Sequence, residues 1–239
     1  MRGSLFLVGG RKNWIDSGAL PSDLYKYEVT ANAWSIVPVQ GHALPVNGNP
    51  FCMAHVSGYL WLYGQATRYT AGGTETAAEL WVWNPREGSW RAVGWQARGA
   101  SPAARADHGC AAAHDRLYVF SGKSFASSTS TLPSLNADLW VLDAVEGSLR
   151  PEAELVWTEL SGDSGDALLG AAPTGRDKPA MATLGGRMYI FGGADSWGNF
   201  LHRFFTSLGC MRYLLRNPLI QTIQGGSAPT QTRLHQCTD

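Results

Sequence analysis

The chain has 239 residues, 44% of them apolar, which is ample for a core of its own. Its 19 acidic and 19 basic residues cancel, and charged residues are sparse at 16%, which speaks against a nucleic-acid or acidic-membrane partner held by bulk charge. The four cysteines, Cys52, Cys110, Cys210 and Cys237, form no C-x-x-C pair, so neither a zinc site nor a small disulfide framework is expected. They read as free thiols in a reducing compartment, with Cys52 and Cys110 as small buried fillers. No stretch approaches the length of a membrane span, and the opening MRGSLFLVGG is too short in apolar residues for a secretory signal. A cytoplasmic or nuclear setting is expected.

Along the chain, Leu5–Val8 is an apolar run stopped by Gly9-Gly10. A polar loop leads to DLYKYEV, an aromatic-rich strand, then the turn TANA and the short strand WSIVPV. The order then repeats. FCMAHV, the tight turn Ser57-Gly58 and YLWLYG are followed by a loop over Gln65–Ala78, then ELWVW, a turn and WRAVGW. The third round begins at Pro102 with PAARADHGCAAAHDRLYVFSG. It continues through a Ser/Thr-rich loop, Lys123 to Asn136, to DLWVLD and WTEL. The fourth starts at Pro173 and reaches MYIFGG; after Gly193 no clean third strand is legible, and the tail has no period.

The registers agree. Pro45 to Leu60, Pro102 to Leu117 and Pro173 to Met188 are each 15 residues, and Tyr27 to Trp34 matches Trp83 to Trp90 at 7. Insertions fall between strands, as expected when strands are packed and loops lie at the surface. Four short strands per round, a glycine pair after the second, and an aromatic at a fixed interval before a Trp resemble kelch repeats. The resemblance covers about Leu5 to Phe200. It implies an all-β fold: a kelch-type β-propeller of four-stranded antiparallel blades.

The departures are local. The glycine pair is Gly64-Gln65 in the second repeat and Ser121-Gly122 in the third. The basic residue ahead of the first strand is Arg105 and Arg176, but Gly48 in the second repeat. The chain starts at the second strand of a repeat, so about three and a half blades are present. The propeller is therefore expected to be incomplete and unclosed: a fragment, a truncated gene model, or a half that needs a partner. Repeats are placed near 5–44, 45–101, 102–172 and 173–204, with an irregular tail over 205–239.

Candidate chemistry is thin. Arg105, Asp107 and His108, with Arg176 repeating the arginine, are the channel-mouth candidates, as a polar binding or acid–base cluster. The plainer reading is that these residues cap loops and hold neighbouring blades. No G-x-S-x-G elbow, phosphate-cradling glycine loop or metal-ligand spacing occurs, and no cofactor is implied. Trp34, Trp81, Trp83, Trp90, Trp140 and Trp157 sit on repeat positions and are expected mostly in the core; Trp14, Trp95 and Trp197 lie in loops. The long loops after the second strands emerge on one face, giving Arg11, Lys12, Trp14, Arg68, Tyr69, Lys123 and Trp197 as binding-surface candidates.

Together these point to a non-catalytic protein-interaction scaffold or recognition module. Its partners are proteins, or other domains or missing blades of a longer chain, with no nucleic acid and no membrane. The alternative is a kelch-like propeller enzyme or metal-dependent specifier, of oxidase or sugar-isomerase type, with its site at the channel mouth.

Overall fold

The computed structural model describes residues 3–9, 23–40, 51–70, 73–93, 101–124, 134–143, 155–160, 173–201, 204–207 and 220–223. Among them the backbone forms antiparallel sheets and no helix. The first sheet has three strands, β1 (Ser4–Val8), β2 (Leu24–Glu28) and β3 (Ala33–Val37). The second is the meander β4 (Phe51–Val56), β5 (Tyr59–Thr70), β6 (Gly73–Asn84) and β7 (Ser89–Ala92). The third holds β8 (Gly109–Ala113) and β9 (Arg116–Phe120). A short ribbon of β10 (Lys123–Ser124) and β11 (Ser134–Leu135) follows, and β12 (Leu139–Asp143) and β13 (Trp157–Glu159) complete the sheet. The fourth is β14 (Ala180–Leu184), β15 (Arg187–Phe191), β16 (Phe204–Ser207) and β17 (Ile220–Ile223).

Each first hairpin closes in two residues with positive φ at both: Ser57 (48°) and Gly58 (87°), His114 (50°) and Asp115 (58°), Gly185 (56°) and Gly186 (72°). That backbone matches the right-handed twist of the strands it joins. Short alternation does the rest. In β5, Trp61 and Tyr63 face the following sheet while Leu60 and Leu62 face the preceding one. All four are at most 2% exposed.

The same recipe makes all three joints between sheets. Phe6 and Val8 pack with Leu60 and Leu62. Trp61 and Tyr63 pack with Leu117 and Val119. Tyr118 and Phe120 pack with Met188 and Ile190. Mostly aromatic pairs point forward along the chain and aliphatic pairs point back. Fully burying a side chain of this size contributes roughly 1.5–3 kcal/mol, so the joints carry the core.

Three expectations are corrected. Gln65–Ala78 is not a loop: β5 and β6 run on as one ribbon, paired from Leu60↔Trp83 to Thr70↔Gly73. The fourth sheet takes its two outer strands from 204–207 and 220–223, within and beside the stretch read as patternless. Cys52 and Cys110 are not free thiols. They form a disulfide between β4 and β8, their Cα atoms 5.8 Å apart, because the two strands meet across one joint. Trp34 departs as well. It is 55% exposed, since it lies on the face of the first sheet that no described sheet covers.

Candidate functional site

The linkers that lead into β8 and β14 run along one rim. Each is tied to the residue just past its hairpin. Ala106 and Lys123 exchange backbone hydrogen bonds of 2.8 and 2.9 Å, and Asp177 and Ala194 exchange two of 2.8 Å. The linkers also hold each other, with Lys178 N–H donating to Asp107 O at 2.8 Å and Gly122 N–H to Arg176 O at 3.0 Å.

Below this ladder lies a buried ion pair. Arg105, fully buried, donates to both carboxylate oxygens of Asp138 at 2.6 and 2.7 Å, to Ser121 O at 3.0 Å and to Ala103 O at 3.1 Å. Trp140 Nε1 donates to the same carboxylate at 2.6 Å. Burial pushes the Asp138 carboxyl up, but the Arg105 hydrogen bonds and charge, with the indole N–H, outweigh it and hold the group below its ordinary range. Arg176 takes the equivalent place one sheet on, donating to Thr174 O at 3.0 Å and Gly192 O at 2.9 Å. Ser121 joins the two arginine stations. Its Oγ accepts from Arg176 N–H at 2.7 Å and lies 2.9 Å from Arg176 O and 2.7 Å from Asn136 O.

His108 is enclosed, its Nε2 3.0 Å from Tyr63 O and its ring edge-on to Tyr63. Burial first, then the Arg105 charge, push the imidazole down to about 4. The ring is therefore neutral at pH 7, and since a carbonyl can only accept, Nε2 carries the proton. The unfolded chain takes up this proton from about pH 6.5 downward. The folded chain does not until about 4, so folding loses stability as pH falls. We expect about 2 kcal/mol to be lost to this group between pH 7 and pH 5. Urea midpoints of wild type and His108→Gln across that range check it: the variant's pH slope should be flatter.

On the rim itself sit two carboxylates and two ammonium groups. Lys123 Nζ pairs with Asp107 and lies 3.6 Å from Asp177, while Lys178 Nζ is 4.0 Å from Asp107. Asp107 (φ 54°) and Lys178 (φ 53°) occupy the same repeat position, both in the left-handed region. Burial opposes the Lys123 charge, but the two aspartates outweigh it and hold its pKa above the ordinary lysine value. The Asp177 carboxyl is also held above its ordinary range, by burial and the neighbouring Asp107 charge. Its Oδ1 is buried without a hydrogen bond among the described residues. Further along, Trp197 stands 87% exposed. Its loop is fixed from below by Asp195, whose Oδ1 accepts from Trp197 N–H (2.9 Å) and Asn199 N–H (2.8 Å) and whose Oδ2 accepts from Asn199 Nδ2 at 2.9 Å.

A family model for the KLHDC2/KLHL20/DRC7 kelch-repeats domain matches residues 1–163. The chain belongs to the kelch-repeat family. Its fold is also similar to the solved structure of YjhT, with a TM-score of 0.56 and 16% identity over 87% of this chain. The chain spans 60% of the length of that one. No curated protein matches it in sequence. The sheets are thus kelch blades, an incomplete and unclosed propeller.

On the kelch rim the sequence-predicted residues separate. Arg105, Asp107, His108 and Arg176 share the linker ladder with Lys123, so one binding-surface residue joins the channel-mouth group. Within it, Asp107 and Lys123 reach the rim, while Arg105 (0%), Arg176 (1%) and His108 (7%) lie beneath it. Trp197 lies on the loop after the second strand of the fourth blade. Arg68 and Tyr69 fall on the β5–β6 ribbon, in register with Glu75 and Thr74. Arg11, Lys12 and Trp14 lie outside the described residues. Three residues were missed: Asp138, and Asp177 and Lys178 as charged neighbours of Lys123 and Asp107 on the rim. Asp138 had a signal: an acid two residues before an aromatic recurs in DLY, ELW and DLW. Glu79 accepts from Trp81 Nε1 at 3.0 Å in the second blade as Asp138 does from Trp140 in the third.

Proposed function

We propose that this kelch array is a protein-recognition module that acts by binding rather than turnover, its partner docking on the rim that carries Trp197, Lys123, Asp107 and Lys178. Trp197 carries the reading. An exposed indole held by a hydrogen-bonded loop needs little further ordering on contact, and Trp is a favoured anchor at interface centres. The mixed-sign rim around Lys123 favours a partner segment of alternating charge over a polyanion. A cytoplasmic or nuclear setting belongs to the same reading.

Quantitative capture from a cell extract, with wild type, Trp197→Ala and Lys123→Glu side by side, tests it. We expect Trp197→Ala to weaken a specific partner by about tenfold or more with an unchanged thermal midpoint. Partners retained equally by both variants would sink the rim.

One observation favours a second reading, an enzyme or metal-dependent specifier at the channel mouth: the raised Asp177 carboxyl with its unpartnered Oδ1. Calorimetric titration with Mn²⁺, Zn²⁺ and Cu²⁺ separates the two. The recognition reading expects no Asp177-dependent heat, and heat abolished by Asp177→Asn would favour the second.

A further inference from the structure

We propose that the Cys52–Cys110 bond is a reversible redox latch for the rim: closed, it holds the linker that carries Asp107, and opened by a small thiol it lets that linker loosen. Three ties run from the second blade to the stretch 102–110, and all reach one rung of the β4–β5 ladder, Cys52↔Tyr63. Tyr63 Oη donates to Pro102 O at 3.2 Å. Tyr63 O accepts from His108 Nε2 at 3.0 Å. Cys52 is bonded to Cys110, two residues after His108. Asp107 lies inside the tied stretch. The covalent tie therefore acts close to the residue that pairs with Lys123 and whose carbonyl accepts from Lys178 N–H.

The linker has a second state to relax into. Asp107 is held at φ 54°, a sparsely populated conformation for a non-glycine residue that persists only while its surroundings enforce it. On the other side the linker lies flush on the third blade: a Cβ on Gly122 would meet His108 Cβ at 2.6 Å and Ala106 O at 2.7 Å. Once the bond opens, hydrogen bonds alone remain at the Cys52–Tyr63 rung. The two cysteines are half-buried, beside Tyr63, Leu117 and Val119, which are fully enclosed, so a small thiol can reach them. Closing the latch consumes a small-molecule disulfide. One cysteine thiolate attacks it and displaces a thiol. The other thiolate then attacks the mixed disulfide and displaces the second thiol. The protein dithiol gives up two electrons and two protons, which leave on the two small thiols; reduction is the reverse. The latch is a property of the rim's geometry and holds whatever docks there.

Hydrogen exchange on the full chain, oxidised and after reduction with dithiothreitol, tests the proposal. Reduction should raise exchange at the Ala106, Lys123 and Lys178 amides at least about fivefold more than at the Leu62 and Val82 amides of the β5–β6 ladder. Cys52→Ala with Cys110→Ala should show the raised pattern without reductant and should not respond to it. A uniform rise would mean lost stability alone and overturns the latch. In glutathione buffers, with thiols trapped by alkylation and mapped to Cys52 and Cys110, the pair should pass from disulfide to thiols as the buffer is made more reducing. A tie that the bond strengthens must strengthen the bond in return. Tyr63→Phe, which removes the tie to Pro102, should therefore shift the exchange constant toward the thiols by about threefold to tenfold, the net worth of one hydrogen bond. Ile190→Val, in the joint between the third and fourth blades, should leave that constant in place. A pair that does not respond to the buffer overturns the proposal, as does an equal constant for wild type and Tyr63→Phe.

Discussion

Asp138→Ala is expected to cost about 3 kcal/mol of stability, the lower end of what breaking a buried ion pair costs. The cost arises on the other partner. Arg105 is fully buried and always charged, and without the carboxylate two of its N–H donors face no acceptor. Asp138 keeps 22% of its side chain in water, which places the loss at the lower end. Trp140 Nε1 loses its partner in the same change. Asp138→Asn, which keeps one acceptor oxygen, should lose less. Changing both residues to apolar ones, Arg105→Met with Asp138→Leu, should recover much of the deficit, because no buried charge is then left alone. Urea midpoints of the four proteins decide it; equal stability of wild type and Asp138→Ala would mean the pair carries no weight. The sign with pH is also fixed. A carboxyl held below its unfolded value contributes above that value, and its contribution disappears as pH falls through the folded pKa. This loss comes in stronger acid than the one from His108, so the acid limb should show two stages.

The second large effect concerns the bond between blades. Cys52 and Cys110 are 58 residues apart, and closing a loop of that size lowers the entropy of the unfolded chain by the equivalent of about 4 kcal/mol. Cys52→Ser with Cys110→Ser, or an excess of reductant, should lower stability by about that amount. The joint of Trp61, Tyr63, Leu117 and Val119 remains in place without the bond, so the reduced protein should stay folded in mild conditions and unfold earlier in urea. A thiol count on the denatured, unreduced protein gives the direct check. Two reactive thiols are expected, and four would mean that the bond is not formed.

Much of the blade architecture was legible because each element carries its own local signal. Ser57-Gly58 and Gly185-Gly186 mark tight turns, and LWLY alternates so that both of its faces are apolar, as a strand between two blades requires. The Gln65–Ala78 ribbon was missed because QATRYTAGGTETAA mixes small and polar residues without an apolar period to mark a strand; the pairing of the two strands across the ribbon is what shows it. The disulfide was missed because cysteine spacing was read along the chain. Parity between repeats would have found it. Cys52 lies 8 residues before Leu60 and Cys110 lies 7 before Leu117, so the two point opposite ways from successive blades, into the same joint.

The site was less legible for a different reason. Its geometry comes from contacts between linkers that are distant in sequence, such as Lys123 with Asp107 and Asp177, and no local pattern encodes them. Trp34 shows the converse. Its repeat position predicts core, but burial is a property of the neighbouring blade, not of the strand that carries it.

Each sheet is drawn from one unbroken stretch of chain, with neighbouring strands adjacent in sequence apart from the short β10–β11 ribbon. Hairpins with two-residue turns close in microseconds, whereas synthesis adds residues at roughly 5–20 per second. A growing chain can therefore complete the second blade before the third has been made, holding Cys52 ready on a finished surface until Cys110 arrives. Assembly then proceeds vectorially, each new blade docking on a template already in place, and the covalent bond records that docking after it has happened rather than directing it.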